Sequence, residues 1–405
     1  MIPSSKKNCQ KHNRIPITSH LNSSIPSLPI VRFKFIDLLR GWAVFIMIET
    51  HVVNALLRPD IKVQSLFKIV TFLNGLVAPS FLFCAGFALA ITFRRKWNDY
   101  TRFRKPLWRY IFRLLFILIV GYSLHLPYFS LTRLQAITDR QLWISFFQVD
   151  ILQTIAATLL LLVLLAVVTR RESVFIYAAS CIAMGIIFTA PVVRIIDYSM
   201  FPVWFRSYLT HQYKSQFPLF PWSAFLIAGT IVGYGFLKLK ERGVEKRFVD
   251  NILLLAVTAI IIALFAEVVP VTIYPDHNFW RASPEFFFVR LGLVLLAMAA
   301  VWWYEQKWVV RNTSVFALFG QESLLVYVVH LLIVYGYTYE WSFVRYFGPE
   351  LNYYECIVLF LCLAAAMYLM AFGWHWLKGW NKKVAKIVEV AVLTGIVVTF
   401  ILKTT

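Results

Sequence analysis

Eleven apolar runs of membrane-spanning length decide what this chain can fold into. They lie near residues 35–57, 69–93, 111–128, 151–168, 174–192, 219–237, 249–269, 285–304, 315–335, 355–376 and 387–402. A helix needs about 20 apolar residues to cross the hydrocarbon core. Within that core only helices and closed barrels satisfy every backbone polar group. The expected fold is therefore all-α: a polytopic integral membrane protein of about 10–11 transmembrane helices. The eleventh run is short and weakly flanked, which makes ten the lower bound. The run at 69–93 is interrupted by Asn74-Gly75 and Ala78-Pro79-Ser80, which predicts a broken or kinked entry into the membrane.

Charge orients the spans. The formal charge of +20 would suggest nucleic acid in a soluble protein, but this chain is 60% hydrophobic. In a membrane protein such basic residues belong to cytoplasmic loops, so the expected partner is the lipid bilayer and not nucleic acid. Arg94, Arg95, Lys96, Arg102, Arg104, Lys105, Arg109 and Arg113 crowd one loop. Alternate loops are basic along the whole chain, so the N-terminus is expected to be cytoplasmic and the protein to sit in the plasma (inner) membrane. Residues 1–31 are rich in Ser, Pro and Lys without an apolar core. They read as a disordered basic cytoplasmic tail and not a signal peptide. Residues 32–405 read as a single transmembrane domain. Five cysteines without ligand spacing imply no metal and no disulfide framework.

Polar groups inside a bilayer are costly and mark function by default. The first run carries Asp37, Arg40, His51 and Asn54. Eleven residues at 100° each return to within about 20°, so Arg40 and His51 share a helix face, about 16 Å apart along the axis. Asp37, Asn54 and Arg58 fall near that stripe, and Glu49 falls opposite. Singly, Arg40 reads as a snorkelling cation and His51 as a satisfied helix-end histidine. Together they suit a site that grips one end of a long anionic molecule and moves protons at the other. Ser323, Tyr327 and His330 form a second stripe, equally readable as interhelical glue or as substrate-facing. Isolated polar groups are His125, Gln153, Glu267, Arg290 and His375. Glu267 and His375 lie near span ends, where headgroups explain them; Arg290 is deeper and calls for a partner or a water-filled cavity. No phosphate-binding glycine loop or nucleophile elbow is present. A histidine without metal, Ser or Cys partner suggests general-base chemistry on an acceptor hydroxyl or amine.

Ile36-Asp37-Leu38-Leu39-Arg40-Gly41-Trp42-Ala43-Val44, followed by His51, resembles the opening signature of the transmembrane acyltransferase superfamily. That superfamily includes acyltransferase family three, with its Arg-x10-His motif, and the heparan-α-glucosaminide N-acetyltransferase-like group, the nearer likeness. Asn74-Gly75 through Ala78-Pro79-Ser80 is similar to the second-span pattern of that group. Ile151-Leu152-Gln153, Phe220-Pro221-Trp222 and Glu322-Ser323 through His330 resemble its recurring segments. In the lysosomal heparan enzymes the active histidine stands just before the Asn-Gly segment. Here Val70 or its neighbours occupy that place, so the histidine role falls on His51.

The resemblance implies acetyl-CoA or another acyl-CoA as donor from the cytoplasm. The acceptor, a hydroxyl or amine of a cell-envelope glycan or amino sugar, would approach from the outer side. His51 is then the expected catalytic residue, acting as base or through an acyl-histidine. Arg40 and Asp37 are the expected donor-binding residues. Asn54, Asn74, Gln153, Arg290, Ser323, Tyr327 and His330 are the possible substrate-facing ones. A secondary transporter or lipid-linked exporter without covalent chemistry is the alternative.

Overall fold

The computed structural model describes residues 32–268, 274, 283–311, 313–336 and 341–403. The tail expected over residues 1–31 lies outside the described residues. Phe33–Thr405 form one compact unit. Among the described residues thirteen helices carry the fold. In chain order they are α1 (Lys34–Leu56), α2 (Ser65–Asn74), α3 (Val77–Thr101), α4 (Lys105–Ser123), α5 (Ile151–Thr169) and α6 (Glu172–Ile195). Then come α7 (Leu219–Lys240), α8 (Glu245–Val268), α9 (Pro284–Lys307), α10 (Val315–Gln321), α11 (Ser323–Tyr335), α12 (Tyr353–Trp380) and α13 (Lys382–Leu402). Short surface turns of helix join them.

Each apolar run becomes one helix or one broken pair. Among the described residues, nine helical stretches are long and apolar enough to cross a membrane, with α2 and α3 taken together as Ser65–Thr101. The bent pair α10–α11 makes a tenth. The remaining run is α1, whose composition is diluted by Arg40, Glu49, His51 and Asn54. It is sheltered by protein instead: Val44, Ile48, Val52 and Leu56, four apart along one row, are all fully buried. The break expected near Asn74-Gly75 is present, since α2 ends at Asn74 and α3 begins at Val77.

Lipid tails are as apolar as leucine, so helices in a bilayer associate by close backbone packing. Here the contacts are made at glycines. A Cβ on Gly41 of α1 would lie 1.7 Å from the Phe316 carbonyl oxygen of α10, and one on Gly320 would lie 1.9 Å from the Asp37 carbonyl oxygen. The same device joins α3 to α7, where Gly86 faces the Leu226 carbonyl and Gly229 faces that of Phe83. By contrast, α13 buries only Ala385 and presents its apolar sides outward.

The helix ends sort onto two faces. On the face where α1 begins, the entry face, the Phe35 amide donates to Glu305 at 2.8 Å and Lys34 Nζ donates to the Val310 carbonyl at 2.7 Å. Arg94, near the end of α3, bridges Glu172 at 2.9 Å and Glu241 at 2.6 Å. On the opposite, exit face, the Arg58 amide donates to the Leu351 carbonyl at 2.9 Å, and the Leu351 amide donates to that of Leu56 at 3.0 Å. Ser130 there donates to the Lys403 carbonyl beyond α13.

The run at 315–335 is bent by 91° at Glu322. A break in mid-membrane exposes carbonyls at the end of α10 and amides at the start of α11, which must find partners. Arg40 Nη1 donates to the Gly320 carbonyl at 3.4 Å. The buried Glu322 carboxylate accepts from Lys378 Nζ at 2.5 and 2.6 Å and meets His375 Nδ1 at 3.3 Å, tying the bend to α12. His375 is therefore paired within the protein, where the sequence reading left it to the headgroups.

Candidate active site

The polar groups of α1 divide between its two halves. In the entry half, Arg40 reaches across to Gly320 and is a hydrogen-bond partner of the Cys84 thiol on α3. Asp37 is 6% exposed and also lies close to Cys84. Arg40 thus points into the α1–α3–α10 junction and does not snorkel to the headgroups. The carbonyl it meets ends α10, where the helix dipole favours a cation. A guanidinium has five N–H donors, so these contacts leave capacity for further acceptors.

In the exit half, His51 Nδ1 meets the Tyr335 hydroxyl at 3.2 Å. The His51 and His330 rings lie 5.3 Å apart, and Tyr327 lies against His330 at 5.9 Å. His330 is fully buried, and its Nδ1–H donates to the Val326 carbonyl at 2.7 Å. That bond fixes the tautomer and leaves Nε2 as a bare acceptor, which has no hydrogen-bond partner. Four rings, those of His51, Tyr335, His330 and Tyr327, thus converge where α11 runs beside the last turns of α1.

The start of α5 supplies the next layer. Asp150 lies within electrostatic reach of both His51 and Tyr335. One of its oxygens pairs with His125 Nε2 at 2.9 Å, and Gln148 Nε2 meets His125 Nδ1 at 2.7 Å. His125 is therefore not isolated, as the sequence suggested. Gln153 is fully buried; its Oε1 accepts from the Asp150 amide, and its Nε2 has no partner. A carboxamide with one end capping a helix and the other open has acceptors to find.

The other expected residues lie apart from these four rings. Asn54 is exposed, and its carbonyl accepts from Lys62 at 2.8 Å. Arg58 leaves the expected stripe, because α1 ends at Leu56; it pairs with Asp60 at 2.6 Å in solvent. That hydrogen bond holds the Asp60 carboxyl below the usual carboxylate range. Asn74 is a hydrogen-bond partner of Glu49, the residue expected on the far side of α1 from His51. Arg290 of α9 lies over the Phe286 ring at 3.9 Å and beside Trp222 at 5.4 Å. Ser323 opens α11 directly after the bend, about 10 Å along the helix from His330. Among the described residues no three His, Cys, Asp or Glu side chains converge to hold a metal ion.

Tyr335 and Cys84 are the site groups that sequence reasoning missed. Tyr335 stands five residues after His330, about 140° round the helix, and so falls off the stripe that picked out its neighbours.

A family model described as heparan-alpha-glucosaminide N-acetyltransferase, catalytic, matches residues 32–269. No curated protein matches the chain. The matched segment holds Asp37, Arg40, His51, Asn74, Asp150 and Gln153. Arg290, His330 and Tyr335 lie C-terminal to it, on α9 and α11.

Proposed function

The chain belongs to the heparan-alpha-glucosaminide N-acetyltransferase catalytic family, and from that premise we propose that it moves an acetyl group from cytoplasmic acetyl-CoA to a glycan acceptor across the membrane. As a member of an acetyltransferase family it is an integral membrane enzyme that transfers acyl groups. The acceptor group is a hydroxyl or amine of a cell-envelope glycan or amino sugar.

One observation carries the proposal. His51 is the polar residue of α1 that meets a second imidazole and a phenol, and it shares its helix with Arg40, about 16 Å nearer the entry face. With Nδ1–H donating to the Tyr335 oxygen, His51 Nε2 carries the lone pair. The acceptor O–H or N–H attacks the thioester carbonyl carbon. His51 takes its proton, the C–S bond breaks, and the proton passes to the departing sulfur. Asp150 opposes the positive charge that His51 holds meanwhile. Arg40, with Asp37 behind it, steadies the extended donor below the reacting carbonyl. The basic entry-face loops suit the phosphates of coenzyme A.

The test is thioester cleavage by purified protein. Wild type should release coenzyme A thiol in an acceptor-dependent manner. His51→Ala should lose about 10²–10⁴-fold in turnover while still binding donor. A folded wild type that binds acetyl-CoA and never cleaves it would return the chain to the export reading.

A further inference from the structure

Arg290 is a cation inside a span with aromatic rings for neighbours and no carboxylate. Its guanidinium lies over Phe286, one turn earlier on α9, and beside Trp222 at the start of α7. Among the described residues no acid pairs with it. Glu49 partners Asn74, and Asp150 is engaged with His125. Aromatic faces attract a cation, but they accept few of its five N–H bonds. An unmatched guanidinium at this depth is costly unless something else accepts from it.

Three further features bear on this cation. Trp222 is 8% exposed, and its Nε1–H is buried without a hydrogen-bond partner. Gly75, in the break between α2 and α3, lies against the fork: a Cβ there would come within 3.0 Å of Arg290 Nη2. A side chain at Gly75 would therefore crowd the guanidinium. Finally, α3, α5, α7 and α9 all start on the exit face, so their positive dipole ends gather there. Glu49, Asn74 and Gly75 connect this cation to the His51 end of α1.

We infer that Arg290 reads an anionic group on the acceptor. The fork of Arg290, with the Trp222 Nε1–H beside it, takes a carboxylate, sulfate or phosphate of the sugar, while the sugar's hydroxyl or amine reaches His51. This rests on the acetyl-transfer reading above and adds the acceptor's charge to it. A bidentate Arg–oxyanion pair fixes orientation as well as supplying affinity.

The experiment uses the full chain in detergent, acetyl-CoA, and two sugar pairs that differ in charge: glucose against glucuronic acid, and glucosamine against glucosamine 6-phosphate. Acetyl transfer and calorimetric binding are both read. Wild type should favour the anionic member of each pair by about 10–100-fold, as a charge-assisted pair commands. Arg290→Gln should abolish that preference. Arg290→Lys should restore it in part. Gly75→Ala, which crowds Nη2, should weaken it without removing a charge. The melting temperature in detergent reports folding, and wild-type acetyl transfer to the neutral sugars reports the transfer chemistry. If both are normal and wild type binds and uses both members of each pair equally, the inference is overturned. A preference that survives Arg290→Gln in folded protein also overturns it. Failure of all thioester cleavage would instead overturn the acetyl-transfer reading.

Discussion

At the scale of single residues, the site turns on what holds His51. Tyr335 is the polar side chain that meets its Nδ1. Tyr335→Phe keeps the ring and deletes the hydroxyl, so packing is preserved and one hydrogen bond is lost. Turnover should fall about 5–10-fold with the KM for acetyl-CoA unchanged, as the loss of one neutral hydrogen bond implies. Steady-state kinetics on the folded variant decide it, and wild-type turnover would assign the hydroxyl to packing alone. His51 and Arg40 could be read from the sequence because both lie on one helix, where 100° per residue fixes their faces. Tyr335 could not. It meets His51 because α11 passes beside α1, and that contact joins residues 284 positions apart in the chain. Arg40 was readable as a cation on the His51 face of a span, but its engagement with Gly320 and Cys84 was not, because both partners stand on other helices.

At the scale of elements, the α1–α10 crossing brings the two halves of the site together. Gly41 and Gly320 let backbone meet backbone there. Gly41→Leu would force a side chain against the Phe316 carbonyl, and overpacking of this kind costs about 1–3 kcal/mol. The variant should melt earlier in detergent than wild type. Gly185→Leu, at a helical position with nothing within 4 Å of a Cβ, should melt as wild type does. Equal melting of the two variants would mean that the crossing can open without cost. The sequence shows the run at 315–335 as one span, and the structure bends it by 91°. No proline marks the break. What compensates it is non-local: Arg40 at the Gly320 carbonyl, and Lys378 and His375 at Glu322. The break at Asn74-Gly75 was legible because its punctuation is local.

At the scale of the whole molecule, the alternation of helix ends matches the alternation of charge along the chain. The segment from Arg94 to Arg113, basic eight times over, is expected from the sequence as a loop but forms the end of α3, the short turn 102–104 and the first half of α4, on the same face as the start of α1. In the orientation proposed here, which the positive-inside rule favours, that face is the cytoplasmic one and a polyphosphorylated donor would arrive there. Attraction between exposed charges is screened over about 8 Å at physiological ionic strength. The apparent KM for acetyl-CoA should therefore rise with salt. Neutralising Arg102, Arg104 and Lys105 together should raise it at low salt and flatten the salt response. Arg104 gives up a pairing with Asp99 at 3.2 Å, but Arg104 is exposed and Asp99 only half-buried, so the fold should survive. A basic loop that only sets topology would leave both quantities unchanged. In vesicles of known orientation, acetyl-CoA supplied at the entry face with the acceptor at the exit face should give product. With donor and acceptor both confined to the exit face there should be none. Efficient transfer under that second condition would refute a division of labour across the membrane, even if His51 remained the catalytic residue.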